Sequence, residues 1–243
     1  MPTTTRINLL STPRNVSTAF MYSFASREDV CAVDEPFYAP WLIATGVQHP
    51  GREETLDAYE QDAQKVIDAL LHQDFGKPVL FVKNMCPQLV GVPWDYMTQM
   101  KNVIFIREPA KAIISYAKVF EPDAQEMGTL TQLEIFHFLQ QQGCPPIVLN
   151  SAELLKNPRE VLTTLCDQLD IPFDPAMLRW EAGPKVIDGV WAKYWYGNAH
   201  ASTEFRTSRT KTPVPEIPEH LIPLYNQLQP AYEELAQYTI RAE

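Results

Sequence analysis

The sequence predicts an α/β fold of three layers, a mainly parallel central sheet with helices on both faces. Three observations carry this expectation. Residues 78–82 and 102–106 are continuous apolar runs bounded by chain breakers, the pattern of strands buried on both faces. Leu56, Tyr59, Ala63, Val66, Ile67, Leu70 and Leu71 recur at helical spacing with Glu, Gln, Asp and Lys opposite, which reads as one amphipathic covering helix over residues 55–72. Strands and helices alternate along most of the chain, which calls for right-handed crossovers and puts a ligand site at the carboxyl ends of the strands.

In chain order, residues 6–10 form a short buried strand, broken by the polar segment Ser11-Thr12-Pro13-Arg14-Asn15-Val16-Ser17-Thr18, and residues 19–27 continue as a helix. A second strand at 30–33 ends in Asp34-Glu35-Pro36-Phe37-Tyr38, where the proline stops regular structure and two carboxylates fall at the strand end. After the covering helix come strands at 78–82 and 102–106, helices over 110–120 and 129–142, and a fifth strand at 146–149. Asn157-Pro158-Arg159-Glu160 has the cap, first-turn proline and third-position Glu of a helix start, and that helix runs to Leu169. Residues 183–215 mix Trp191, Tyr194, Trp195, Tyr196 and Phe205 with Arg206, Arg209 and Lys211 without a clear period and read as a lid and acceptor-binding segment, with the aromatics from Trp191 to Tyr196 as candidates to wall the acceptor pocket. Prolines from Pro213 to Pro230 then punctuate two short helices. The whole of residues 1–243 reads as a single domain.

Composition limits the function classes. With 30 acidic and 20 basic residues the formal net charge is -10, which argues against nucleic acid or an anionic membrane as the main partner, so an anionic ligand must be captured locally. The four cysteines form no CxxC pair and the histidines show no HxxxH spacing, so neither a metal site nor a disulfide framework is expected. No run of about 18 apolar residues spans a bilayer and no signal peptide is visible, which places the protein in the cytoplasm as an expectation.

Two local patterns suit anions. The loop after the first strand presents the unpaired N–H groups of Asn15, Val16 and the helix start, together with the positive end of the helix dipole. Ser17 and Thr18 add hydroxyl donors, and Arg14 adds a fixed charge. The loop has no glycine and no Lys-Ser/Thr pair, so it is not a Walker A sequence, and an ATPase or ordinary kinase loses support. Further along, Arg107 stands at the end of the fourth strand and Ser115 lies on the second turn of the next helix, so a planar fork and a hydroxyl can meet one phosphate from the same side.

Residues 12–18 resemble the 5′-phosphosulfate loop of the sulfotransferases that use 3′-phosphoadenosine 5′-phosphosulfate (PAPS). Residues 102–116 are similar to that family's 3′-phosphate element, with Arg107 and Ser115 matching position by position. Residues 147–158 and the helix through Cys166 are similar to its late strand and helices, so the resemblance covers roughly residues 6 to 180. It implies a P-loop-type fold, a small soluble bacterial-type member, PAPS as sulfuryl donor with 3′-phosphoadenosine 5′-phosphate (PAP) as product, a small-molecule acceptor and no metal.

The departures bear on mechanism. Where cytosolic members have Lys-x-His after the third strand, this chain reads Lys83-Asn84-Met85; the usual histidine base is absent, while Lys83 can still assist the leaving group. A glutamate at the end of the second strand serves as base elsewhere in the superfamily, which makes Glu35 the candidate here, with His200 in the lid as a second. Ala19 replaces the tryptophan that stacks on adenine, leaving the adenine contact unassigned. Arg206, Arg209 and Lys211 are possible counterparts of the family's C-terminal basic segment at the 3′-phosphate, without a clean motif match. The expected function is in-line sulfuryl transfer to a hydroxyl or amine of a small metabolite or natural product. The alternatives are a non-catalytic module that binds the nucleotide or a partner, and a small-molecule kinase; acceptor identity and oligomeric state stay open.

Overall fold

The computed structural model describes residues 4–206 and 215–240. Along the chain run β1 (Thr5–Ser11), α1 (Ser17–Ala25), β2 (Val30–Asp34), α2 (Tyr38–Thr45), α3 (Arg52–Ala58), α4 (Ala63–His72), β3 (Val79–Met85), β4 (Lys101–Ile106), α5 (Pro109–Tyr116), α6 (Ala124–Met127), α7 (Thr129–Gln141), β5 (Ile147–Asn150), α8 (Ser151–Lys156), α9 (Pro158–Gln168), α10 (Ala192–Trp195), α11 (Gly197–His200) and α12 (Ile222–Ala236). The strands form one all-parallel sheet in the order β2-β3-β1-β4-β5. Successive residues of each strand point to opposite faces, so the apolar runs feed two cores. Ile7, Leu9, Phe81, Val103, Phe105 and Leu149 pack with α1 and α9, through Phe20, Phe24, Leu162 and Leu165. Leu10, Leu80, Val82, Ile104, Ile106 and Val148 pack on the other face with α4, α7 and α12, through Ile67, Leu70, Phe136 and Leu235. A buried amide ladder crosses the sheet: Asn84 Nδ2 donates to Asn8 Oδ1 at 2.7 Å, and Asn8 Nδ2 donates to Asn102 Oδ1 at 2.9 Å.

This strand order makes β1 the turning point of the topology. The chain leaves β1 for β2 and β3 on one side, then crosses to β4 and β5 on the other. A crevice therefore opens at the carboxyl ends of β1 and β4, where open α/β sheets bind ligands. Register sets Ser11 beside Phe105 and also beside Met85, so the loops following β1, β3 and β4 meet at one place.

Four sequence expectations need correction. The covering helix is two helices, because Tyr59 turns extended and the Asp62 side chain caps α4 by accepting from the Gln64 and Lys65 amides. A short acidic side chain competes well for backbone donors, and here it outweighs the apolar period. The break at Pro36 is present, since β2 ends at Asp34, but it is shorter than expected, because α2 begins two residues later at Tyr38. Pro230 lies inside a single 15-residue helix, α12, rather than between two short ones. Its Leu228, Ala231 and Leu235 face the body, so packing outweighs a local cost of about 3 kcal/mol. The described part of the expected lid is a packed wall: Trp191 and Tyr196 are buried against Tyr38, Trp41 and Leu42. Among the described residues, no helix is long and apolar enough to cross a membrane.

Candidate active site

The carboxyl ends of the strands open into a cavity of about 470 Å³. Its wall begins in the loop between β1 and α1. Arg14 and Val16 adopt left-handed backbone conformations, φ 60° and 51°, and Glu35 at the end of β2 does the same at φ 43°. These are three of the four non-glycine residues with positive φ among the described residues, a costly conformation that gathers at functional sites. Such a left-handed turn aims successive backbone N–H groups into one concavity, the geometry of an anion nest. The loop is anchored by the buried Asn15 side chain, whose amide donates to the Phe105 carbonyl at the end of β4. Gln132 of α7 ties the two strand ends together, donating to the carbonyls of Leu10 at 2.9 Å and Phe105 at 3.0 Å.

Three residues named from the two sequence motifs come together here. Arg14 Nε donates to Ser115 Oγ at 3.1 Å, and Arg107 Nη1 donates to the Arg14 carbonyl. Burial and the nearby Arg14 charge both disfavour the charged form of Arg107. Among the described residues neither guanidinium has a carboxylate partner at ion-pair distance. Two adjacent cations lining a cavity without an ion-pair partner among the described residues favour an anionic ligand, and the charge of Glu108 offsets them only in part. Asn15, Val16, Ser17 and Thr18 line the cavity next to them, and the exposed Arg206 lies on its rim. Arg209 and Lys211 lie outside the described residues.

A second cluster is built where β2 and β3 run side by side, with Asp34 in register with Lys83. Lys83 Nζ donates to Asp34 Oδ1 at 2.9 Å, Glu35 Oε1 at 2.7 Å and the Tyr196 hydroxyl at 2.6 Å. An ammonium has three N–H donors, so none remains for a leaving-group oxygen. Lys83 is thus a positioning residue for the carboxylates in this structure, which corrects the role expected for it. The Tyr196 hydroxyl also accepts from Trp191 Nε1 at 3.1 Å, and Asp34 Oδ2 accepts from the Gly189 amide at 3.2 Å. Gln88 Nε2 holds the other Glu35 oxygen at 2.6 Å. Burial pushes the Asp34 carboxyl up to about 6, opposed by Lys83 and reinforced by Glu35. Glu35 and Lys83 line the same cavity as the arginine pair.

His200 does not line the cavity. Its Nε2 pairs with Asp188 Oδ2 at 2.9 Å, and Asp188 in turn accepts from the Tyr22 hydroxyl at 2.7 Å, so His200 braces the wall. The cavity histidine is instead His49, whose Nδ1 lies 2.9 Å from the Tyr38 hydroxyl. Sequence reasoning missed it, and with it Gln88 and Glu126, since all three stand in irregular segments or short turns with no motif around them. Ala19, Leu155 and Phe205 supply apolar surface in the part of the cavity near α1.

A sulfotransferase domain model matches residues 5–234, and the chain belongs to that family. The chain is similar to two Arabidopsis thaliana proteins, branched-chain-amino-acid aminotransferase-like proteins 2 and 1, at 39% and 40% identity over 92% of its length. It spans only 41% of the length of each. Among solved structures, the sulfotransferase domain of the Synechococcus PCC 7002 olefin synthase aligns with a TM-score of 0.55 at 18% identity, covering 94% of this chain and 96% of that one. The sulfotransferase domain of the curacin biosynthetic pathway aligns over the whole of both chains with a TM-score of 0.56 at 15% identity. A sulfotransferase from Alicyclobacillus acidocaldarius gives 0.55 at 11% over 96% of each chain. At these identities the structural likeness establishes the α/β sulfotransferase fold.

Proposed function

We propose that the chain moves a sulfuryl group from PAPS to a hydroxyl or amine of a small acceptor by in-line transfer. The observation that carries this reading is the Arg14–Arg107 pair, which has no carboxylate at ion-pair distance among the described residues, with Ser115 at hydrogen-bond distance from Arg14, in the same cavity as the Glu35 carboxylate. The residues present fit the donor: Arg107 and Ser115 suit its 3′-phosphate; Arg14, Ser17, Thr18 and the loop amides suit its 5′-phosphosulfate; and Ala19, Leu155 and Phe205 offer apolar surface to a purine. Bound there, PAPS supplies a sulfuryl group on a phosphate leaving group. Glu35 takes the acceptor proton as the new bond to sulfur forms, and the Arg14 charge and loop N–H groups stabilise the negative charge gathering on the departing phosphate oxygen. Lys83 and Gln88 fix the Glu35 side chain so that little reorganisation accompanies the proton transfer.

The aminotransferase-like names of the Arabidopsis relatives do not fit this cavity. Transamination works through a lysine able to form an imine, and Lys83, the lysine lining the cavity, has all its donors committed to buried acceptors. The test is PAP release from PAPS in the presence of a panel of small alcohols, phenols and amines, with Arg107→Ala beside wild type. Acceptor-dependent release, lost in the variant, supports transfer. Donor binding with no release for any acceptor favours the non-catalytic module, and ATP-dependent transfer favours the kinase.

A further inference from the structure

Beyond the donor groups and Glu35, the cavity has a wall whose chemistry no motif accounts for. Tyr38, Trp41, His49, Tyr116, Glu126 and Trp195 line it. The His49 ring is surrounded by aromatic neighbours, with centroid distances of 5.0 Å to Trp41, 5.5 Å to Trp195 and 5.8 Å to Phe120. Set into this aromatic wall is one carboxylate. Glu126 Oε2 accepts from the Tyr116 hydroxyl at 2.7 Å, whereas Oε1 faces His49 Nε2 at 3.9 Å, too long for a hydrogen bond. His49 Nε2 is itself buried without a hydrogen-bond partner. The His49 contact holds the Glu126 carboxyl below the usual range; partial burial opposes this and Tyr116 adds to it, so the group presents a negative charge.

A carboxylate set among aromatic side chains suits one kind of guest. A cation with N–H or polarised C–H groups meets the Glu126 carboxylate and lies against the neighbouring rings, whose π systems attract positive charge. A neutral alcohol gains only the apolar contact. Arg14 and Arg107 line the same cavity, so a cationic guest is repelled from the donor subsite.

We infer that the acceptor carries an ammonium group, held by Glu126 and the faces of Tyr38, Trp41 and Trp195, with its hydroxyl or second amine turned toward Glu35. This rests on the sulfotransferase reading of the cavity and names its substrate class.

The test uses two size-matched pairs, tyramine with 4-propylphenol and choline with 3,3-dimethylbutan-1-ol, titrated into the protein with and without saturating PAP. The ammonium member of at least one pair binds about tenfold more tightly than its uncharged partner, and Glu126→Gln removes most of that preference. Trp195→Leu weakens the ammonium ligand more than the neutral one. The PAP-induced thermal shift of each variant reports that it is folded. Equal binding within both pairs, no binding by either ammonium compound, or a preference that survives Glu126→Gln overturns the inference. Failure of the donor reading looks different: PAP gives no shift while ammonium selectivity persists.

Discussion

Among the described residues Lys83 is the single cation facing two carboxylates in a space nearly closed to water, with side-chain exposures of 1% for both Lys83 and Asp34 and 9% for Glu35. Removing it by Lys83→Met leaves two like charges buried together, and the expected cost is about 3–5 kcal/mol. Urea denaturation measures this; an unchanged midpoint would show that the cluster does not hold the fold. Glu35→Gln keeps the shape and the Gln88 and Lys83 contacts within reach, yet cannot take a proton. Its turnover falls by about 10²–10⁴ with PAP affinity retained, and unchanged turnover removes Glu35 from the role of base. Asp34 gives a pH signature. Its folded value of about 6 lies above its ordinary 3.8, so its contribution to stability is fully present below 3.8 and is lost as pH rises through about 6. The stability of wild type minus that of Asp34→Asn therefore declines from about pH 4 to 6 and is flat above, whereas a difference that grows with pH contradicts the assignment. Asp34, Glu35 and Lys83 were each legible as polar groups at strand ends. Their closure by Tyr196, 113 residues beyond Lys83, was not, because only the folded chain brings that hydroxyl to the strand ends. His200 was misleading for the same reason: a histidine in an aromatic segment says nothing of which way it turns.

Short connections between elements place the working groups, and glycine matters at one of them. Gly128 separates α6 from α7 at φ 67°, and a Cβ there would stand 2.6 Å from Pro87 Cδ. That contact fixes α6, and therefore Glu126, against the turn that follows β3. Gly143 has a similar φ of 74° with open space around it. Gly143→Ala thus reports the left-handed penalty alone, about 1–2 kcal/mol, and Gly128→Ala costs distinctly more. Equal losses in thermal denaturation would mean that the Pro87 contact yields freely. At this scale the sequence was informative for strands, because two-sided burial writes continuous apolar runs at 78–82 and 102–106 that the structure extends by one to three residues. It was weaker for helix ends. The apolar period of 55–72 runs through Tyr59, whose ring packs on Trp191 at 5.0 Å, and only the capping carboxylate of Asp62 reveals that the helix stops and restarts. Pro230 misled in the opposite direction, since local propensity cannot report the packing that carries a helix across a proline.

For the molecule as a whole, a net charge of -10 surrounds a cavity whose donor end is positive. The proposed function makes anion binding a local construction at the topological turning point of the sheet, set by the order β2-β3-β1-β4-β5 and by the loops after β1 and β4. That architecture was legible in the sequence through the alternation of elements and the placement of Arg14 and Arg107 at two strand ends. The wall proposed for the acceptor was legible only in part: the aromatic segment from Trp191 to Tyr196 was expected there and supplies Trp195, whereas Tyr38, Trp41, His49, Tyr116 and Glu126 come from α2, α5, α6 and the loop at His49, none of which carries a pattern of its own. The central claim, that this cavity takes the 3′-phosphorylated adenine nucleotide, is tested most directly by thermal unfolding with and without PAP, using ATP as the comparison and Arg107→Ala as the control. At about 100 times its dissociation constant PAP adds roughly 2.7 kcal/mol, raising the transition temperature of wild type but not of the variant, while ATP falls well short. No shift with PAP, or an equal shift with ATP that survives Arg107→Ala, contradicts the account.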